Sequence, residues 1–141
     1  MARVLITGSS DGLGLMVGQV LADQGHQVVL HARNDARADN AKTAAPKAEA
    51  VVVGDLASIA ATKGLAAQVN ALGAFDAVIH NAAVGYREEQ RLTSDGFPHV
   101  FAINTLAPYI LTMLIDRPKR LVPGVVDALR CLDRFRVRRG A

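Results

Sequence analysis

Only one cysteine, Cys131, stands among the 141 residues, so an internal disulfide framework is excluded and no cysteine spacing fits a metal site. Long apolar runs are missing as well. Half of the residues are apolar, yet no uninterrupted stretch reaches the length needed to cross a bilayer. The opening residues 1–7 lack the apolar segment and small-residue cleavage site of a secretory signal. The expectation is a cytoplasmic, soluble protein with neither a membrane nor a nucleic acid as partner. Repeats and low-complexity tracts are absent. Tyrosine is scarce, with Tyr86 and Tyr109 alone, and no serine follows Ser94. A chain of this length can still bury a real core within one domain.

The net charge of +3 is unevenly spread. Residues 1–116 carry 8 Lys/Arg against 11 Asp/Glu, whereas residues 117–141 carry 8 against 2. A split of this kind marks either a basic interaction tail or two parts of different origin.

Hydrophobic patterning predicts strands at 3–7, 27–31, 49–53 and 75–80, each short, β-rich and apolar enough for burial on both faces. Between them lie predicted helices at 12–24, 34–44 and 58–72, and a long apolar helix follows from 98 to 114. In the first helix Leu13, Val17, Val20 and Leu21 form the apolar stripe, with Gly25 at its C-terminal end. Ser58 is the expected N-cap of the third. Strands alternating with helices imply an α/β fold, a Rossmann-type doubly wound parallel sheet with strand order 3-2-1-4.

The first strand enters Thr7-Gly8-Ser9-Ser10-Asp11-Gly12-Leu13-Gly14, which opens the first helix. Backbone N–H groups and a helix N-terminus there make an anion site suited to a pyrophosphate. Gly8 serves the tight turn, Gly12 the close approach of phosphate, and Gly14 the packing of helix on strand. Thr7 and the hydroxyls of Ser9 and Ser10 add hydrogen bonds. The plainer alternative is an ordinary tight turn. A P-loop is disfavoured, since no Lys-Ser/Thr pair follows the last glycine.

The spacing Gly-x-x-x-Gly-x-Gly resembles the cofactor turn of short-chain dehydrogenases/reductases, and three further matches follow in order. Asp55-Leu56 after the third strand resembles the family's adenine-contacting acid. Asn81-Ala82-Ala83 after the fourth resembles its Asn-Asn-Ala-Gly motif, with His80 in the first Asn place and Ala83 in that of Gly. Asn104 resembles the helix asparagine that supports the family's proton relay, and so is the candidate catalytic residue. The plainer alternatives are a helix cap for Asp55, a turn role for Asn81 and a local hydrogen bond for Asn104. His26, His31 and His99 form no pattern and are assigned core or surface roles. The resemblance covers residues 2–122 and implies a dinucleotide cofactor, a small carbonyl or alcohol substrate, and a homo-oligomer of the family's kind, paired through the helix bearing Asn104 and a later helix that has no counterpart in these 141 residues.

In such folds a carboxylate at the end of the second strand accepts the ribose 2′-OH of NAD, whereas arginine favours the 2′-phosphate of NADP. Here Leu30-His31-Ala32-Arg33 has no acid before Arg33, so NADP is preferred over NAD. A solvated loop charge is the alternative for Arg33. Asp11 argues the other way, because NADP-using relatives often carry a basic residue there.

The family's chemistry is hydride transfer between nicotinamide C4 and a carbonyl or alcohol carbon, with a Tyr as acid/base and a Lys one helical turn later. Tyr86 and Tyr109 are followed at the fourth place by Gln90 and Met113. The reactive set is missing. A fifth strand begins at 119–122, but Pro123-Gly124 interrupts it, and without this partner the fourth strand would be an exposed apolar edge. Residues 122–130 can be encoded as GTA CCT GGC GTC GTC GAT GCA CTA CGG, which shifted by one base reads Tyr-Leu-Ala-Ser-Ser-Met-His-Tyr. The expectation is therefore a cofactor domain at 1–122, cut off after the fourth or fifth strand and inactive, followed by an out-of-frame tail at 123–141. The rival reading is a non-catalytic dinucleotide-binding or regulatory module with a basic amphipathic tail, Val125, Leu129, Leu132 and Phe135 alternating with arginines.

Overall fold

The computed structural model describes residues 1–85 and 89–123. Its five strands are β1 (Arg3–Ile6), β2 (Gln27–Ala32), β3 (Ala50–Val53), β4 (Ala77–Ile79) and β5 (Arg120–Val122). All pair in parallel, in the order β3-β2-β1-β4-β5. The expected 3-2-1-4 arrangement is thus present, with a fifth strand added beside β4. That addition corrects the expected exposed edge. Ala77, Val78 and Ile79 stand in register with Arg120, Leu121 and Val122, so β4 has neighbours on both sides.

Side chains of the strands alternate between two cores. Val4, Ile6, Val28, Leu30, Ala77 and Ile79 face one side, where Val17 and Leu21 of α1 (Gly12–Asp23) and Ala41 of α2 (Asp35–Ala44) cover them. Leu5, Val29, Val52 and Val78 face the other, against Leu65 and Val69 of α3 (Ile59–Ala71) and Ala107 and Leu111 of α5 (Ala107–Leu114). Both faces of a parallel sheet are covered, which is why its strands are nearly continuous apolar runs.

The buried stripe of α1 differs from the expected one. Gly14, Val17, Gly18 and Leu21 are buried, while Leu13 and Val20 are 56% and 44% exposed. Gly18 shifts the contact face because it lets the helix approach the sheet. A Cβ on Gly18 would lie 2.7 Å from Leu30 Cδ2. Gly25 closes α1 as expected, with φ +86° and Gly25 N–H and His26 N–H returning to Ala22 and Leu21 carbonyls. Ser58 caps α3, its hydroxyl accepting from Ala61 N–H at 3.2 Å.

The long apolar helix is less regular than its sequence implies. A short turn, α4 (His99–Phe101), passes into a π-helical turn at Ala102–Leu106 before α5. Asn70 of α3 finishes α5, donating to Leu114 O and accepting from Asp116 N–H. Lys119 pairs with Asp76 at 2.7 Å and Arg3 N–H donates to the same carboxylate, so one side chain just before β4 ties the start of β5 to the start of β1. No described helix is long and apolar enough to cross a membrane.

Candidate functional site

A cavity of about 800 Å³ opens at the C-terminal ends of the strands, around the point where the chain order reverses between β1 and β4. Open α/β sheets place their ligands at that position. Its floor is Gly8, Ser10, Asp11, Gly12, Leu13 and Gly14. The sides bring in Arg33, Asn34 and Arg37 from the β2–α2 junction, Asp55 and Leu56 after β3, and Asn81, Ala82 and Ala83 after β4. Arg91, Leu92, His99 and Ile103 close it from across the mouth.

The turn presents its donors from backbone alone. Leu15 N–H is bonded to Asp11 O, so Gly12, Leu13 and Gly14 precede the first intrahelical donor, and their N–H groups have no carbonyl within the helix. Gly12 has φ +57°, and nothing lies within 4 Å of where its Cβ would be. That open space leaves room for an anion at the helix N-terminus. Gly14 works differently from the expectation. Its Cβ would fall 2.4 Å from Asn81 Nδ2 and 2.6 Å from Gly8 O, so its bareness makes room for the Asn81 bond rather than for helix on strand. Gly18 has the latter role, and its position within an apolar stretch is the signal that marks it.

Two expected ligand contacts become braces instead. Thr7 is buried, and its Oγ1 accepts from Asn81 N–H at 3.0 Å and Ala82 N–H at 3.1 Å. Ser9 is fully buried, donating to Ile6 O at 2.7 Å and accepting from His31 N–H at 2.8 Å. Neither side chain lines the cavity, because both serve strand-end backbone that would otherwise be buried without partners. Asn81 completes the link, its Nδ2 donating to Gly8 O at 2.9 Å.

Asp55 Oδ1 accepts from Ala57 N–H at 2.9 Å while Ser58, not Asp55, caps α3. The carboxylate therefore stays at the cavity wall. Asn104 sits in the π-helical turn and holds Val84 by two bonds of 2.9 Å, to its N–H and to its C=O. It lies outside the cavity lining and reaches a segment twenty residues away, so its bonding is not local. π-helical turns concentrate at functional positions.

Members of the short-chain dehydrogenase family, by sequence profile, match residues 2–118 of the chain. The chain belongs to this family. An uncharacterized oxidoreductase of Emericella nidulans is 59% identical over 121 residues, covering 84% of this chain and 48% of that protein. The short-chain dehydrogenase chyC of Penicillium rubens is 49% identical over 122 residues, with 86% and 47% covered. Among solved structures, an uncharacterized protein from Mycobacterium Paratuberculosis superposes with TM-score 0.72 at 28% identity, covering 82% of this chain and 41% of its own. The NADP complex of a metagenomic short-chain oxidoreductase gives 0.65 at 27%, covering 81% and 54%. The chain spans about half the length of the curated relatives it matches. The family is one of NAD(P)-binding oxidoreductases.

Within this short-chain dehydrogenase fold, two residues at the site carry signals that sequence reading passed over. Arg37 lies one helical turn beyond Arg33 and pairs with Asp11 at 2.7 Å. His31, assigned a core or surface role, is buried in the core with both ring nitrogens bonded to backbone around the cavity. His80 is also buried. Thr112 uses its proton on Pro108 O, so His80 Nε2 donates to its hydroxyl at 3.2 Å, while Nδ1 has no partner among the described residues. Tyr109 is 62% exposed on α5, and Tyr86 lies outside the described residues together with the tail at 124–141.

Proposed function

We propose that the cavity binds a nicotinamide dinucleotide, NADP in preference to NAD. Gly8, Ser10, Gly12, Leu13 and Gly14 receive the pyrophosphate, with Thr7 and Ser9 bracing the turn. Arg33 takes the 2′-phosphate, Asp55 and Leu56 border the adenine, and Asn81, Ala82 and Ala83 line the path towards the nicotinamide. The group fits the residues present. The observation that carries this reading is the pairing of open space over Gly12 with Arg33 and Arg37 at the N-terminus of α2, where Ala32 stands instead of a carboxylate.

The dinucleotide would supply or accept hydride against a small carbonyl or alcohol. Asn104 is a positioning residue in this proposal, holding the segment after β4 against the helix. Within these 141 residues no Tyr-x-x-x-Lys occurs, so the polypeptide is expected to bind cofactor without turning over substrate. A second copy of the chain is the proposed macromolecular partner, across the exposed Tyr109 and Met113 of α5.

Titration of NADPH and NADH fluorescence tests the proposal. Tighter binding of NADPH is expected, with Arg33→Ala lowering its affinity about 10- to 100-fold and leaving NADH unchanged, as expected for loss of a charge-assisted contact. Equal affinities, unaffected by the substitution, would overturn the NADP preference. Absence of binding to folded protein would overturn the site, and turnover of a carbonyl panel would overturn the inactivity.

A further inference from the structure

The imidazole of His31 occupies the seam between the glycine turn and the end of β3. It is 3% exposed. Nδ1 lies 2.9 Å from Gly8 N, whose N–H donates to it. Nε2 lies 2.7 Å from Gly54 O, which can only accept. The two contacts together define the ring as neutral with its proton on Nε2. A second proton would have to sit on Nδ1, where it would point at the Gly8 N–H and find no acceptor.

The backbone of His31 is tied to the same turn. Its N–H donates to Ser9 Oγ at 2.8 Å, and its carbonyl accepts from Ser9 N–H at 3.1 Å. Gly8 takes a left-handed conformation, φ +61°, directly before this pair. Thus the residue that shapes the entry to α1 is held at its N–H by His31 of the neighbouring strand and at its carbonyl by Asn81.

We propose that His31 is a positioning residue for the dinucleotide: its neutral ring holds Gly8 in the binding shape, and its protonation releases the turn and weakens binding. This rests on the reading of the cavity as a dinucleotide site. The charged groups that share the cavity with the ring come from every element bordering it. They are Asp11 before α1, Arg33 after β2, Arg37 of α2 and Asp55 after β3, with Arg91 and His99 across the mouth. Burial opposes the charged ring most strongly, while the Gly54 carbonyl and Asp55 favour it. Asp11 is paired with Arg37.

The experiment uses the full chain labelled with 15N-histidine. Long-range proton–nitrogen correlation is expected to show His31 protonated on Nε2 alone, and acidification then locates its titration. NADH and NADPH are titrated across about pH 5 to 8. NADH is the deciding probe, because the 2′-phosphate of NADPH itself titrates near about pH 6. The expected result is an NADH affinity that falls up to about tenfold per pH unit in step with His31 protonation, the limit for one competing proton. His31→Asn retains an acceptor for Gly8 N–H and is expected to flatten that profile, while His31→Leu weakens binding at every pH. An NADH affinity that stays level through the titration of His31 overturns the proposal and leaves the dinucleotide site standing. The wild-type profile decides this even if both variants fail to fold. Failure of both nucleotides to bind folded protein at any pH overturns the site itself and this role with it.

Discussion

Arg37 Nη1 donates to Asp11 Oδ2 at 2.7 Å, joining the first turn of α2 to the residue that precedes α1. Both groups border the cavity, with the Arg37 side chain 39% and the Asp11 side chain 73% exposed. The carboxylate would therefore oppose the phosphate of the proposed cofactor in two ways, by its own charge and by occupying one of the two guanidinium groups at this end. Asn34 adds to the rigidity, accepting from Arg37 N–H as the N-cap of α2.

Asp11→Asn should remove the competition and release Arg37 towards a 2′-phosphate. Exposed ion pairs contribute little, so the expected gain is about twofold to fivefold in NADPH affinity, with no gain for NADH. Fluorescence titration at low and high salt checks it, and the difference should shrink as salt screens the site. An equal gain for both nucleotides would show that Asp11 acts on the shared pyrophosphate instead.

Glycines at two positions should respond oppositely to alanine. At Gly14 the new Cβ meets Asn81 Nδ2 and Gly8 O, both held by hydrogen bonds, so Gly14→Ala should destabilise the fold by about 1–3 kcal/mol. It should also weaken dinucleotide binding. At Gly64, within α3, nothing lies within 4 Å of an added Cβ. Gly64→Ala should stabilise by about 0.5–1 kcal/mol through helix propensity. Urea unfolding of the two variants measures both effects.

Asn104→Ala should loosen the segment after β4 without unfolding the chain. Val84 N–H and C=O lose both partners at once, yet they lie near solvent and can find water. Net loss is expected at about 1–2 kcal/mol. Exchange of the Val84 amide should accelerate at least about tenfold while the amides of β1 and β2 keep their protection. Uniform acceleration across the sheet would mean that Asn104 supports global stability.

Much of this was legible because the sheet is parallel and buried on both faces. Such strands announce themselves as apolar runs, and glycine spacing marks the turn between β1 and α1. What escaped depends on which atom faces which. Thr7 and Ser9 read as phosphate contacts by residue type, but strand-end carbonyls and amides claim their hydroxyls first. Leu13 and Val20 fit a helical stripe as well as Gly14 and Gly18 do, and only the close approach to Leu30 decides between them. The π-helical turn around Asn104 leaves the apolar pattern of 98–114 intact, so no periodicity could reveal it. β5 illustrates the opposite limit. Three residues before Pro123 suffice to pair with β4, although a sequence count gives them little weight as a strand.

Acid stability should separate two groups of side chains. Burial lowers the pKa of His31 and of His80 below the ordinary value of 6.5, so the unfolded chain binds more protons than the folded one below that pH. Their contribution is complete above about pH 6.5 and is lost progressively as pH falls from there towards the depressed folded values. Asp76 follows at lower pH. Its bond to Lys119, then the Arg3 N–H, lower its pKa below the ordinary 3.8, so its contribution is full above that pH and declines beneath it. Urea midpoints measured from neutral pH downward should therefore fall in two stages. His80→Asn, which cannot gain a proton, should reduce the first stage, and Lys119→Ala should reduce the second. A first stage unchanged in both His80→Asn and His31→Asn would place the early proton uptake elsewhere in the chain.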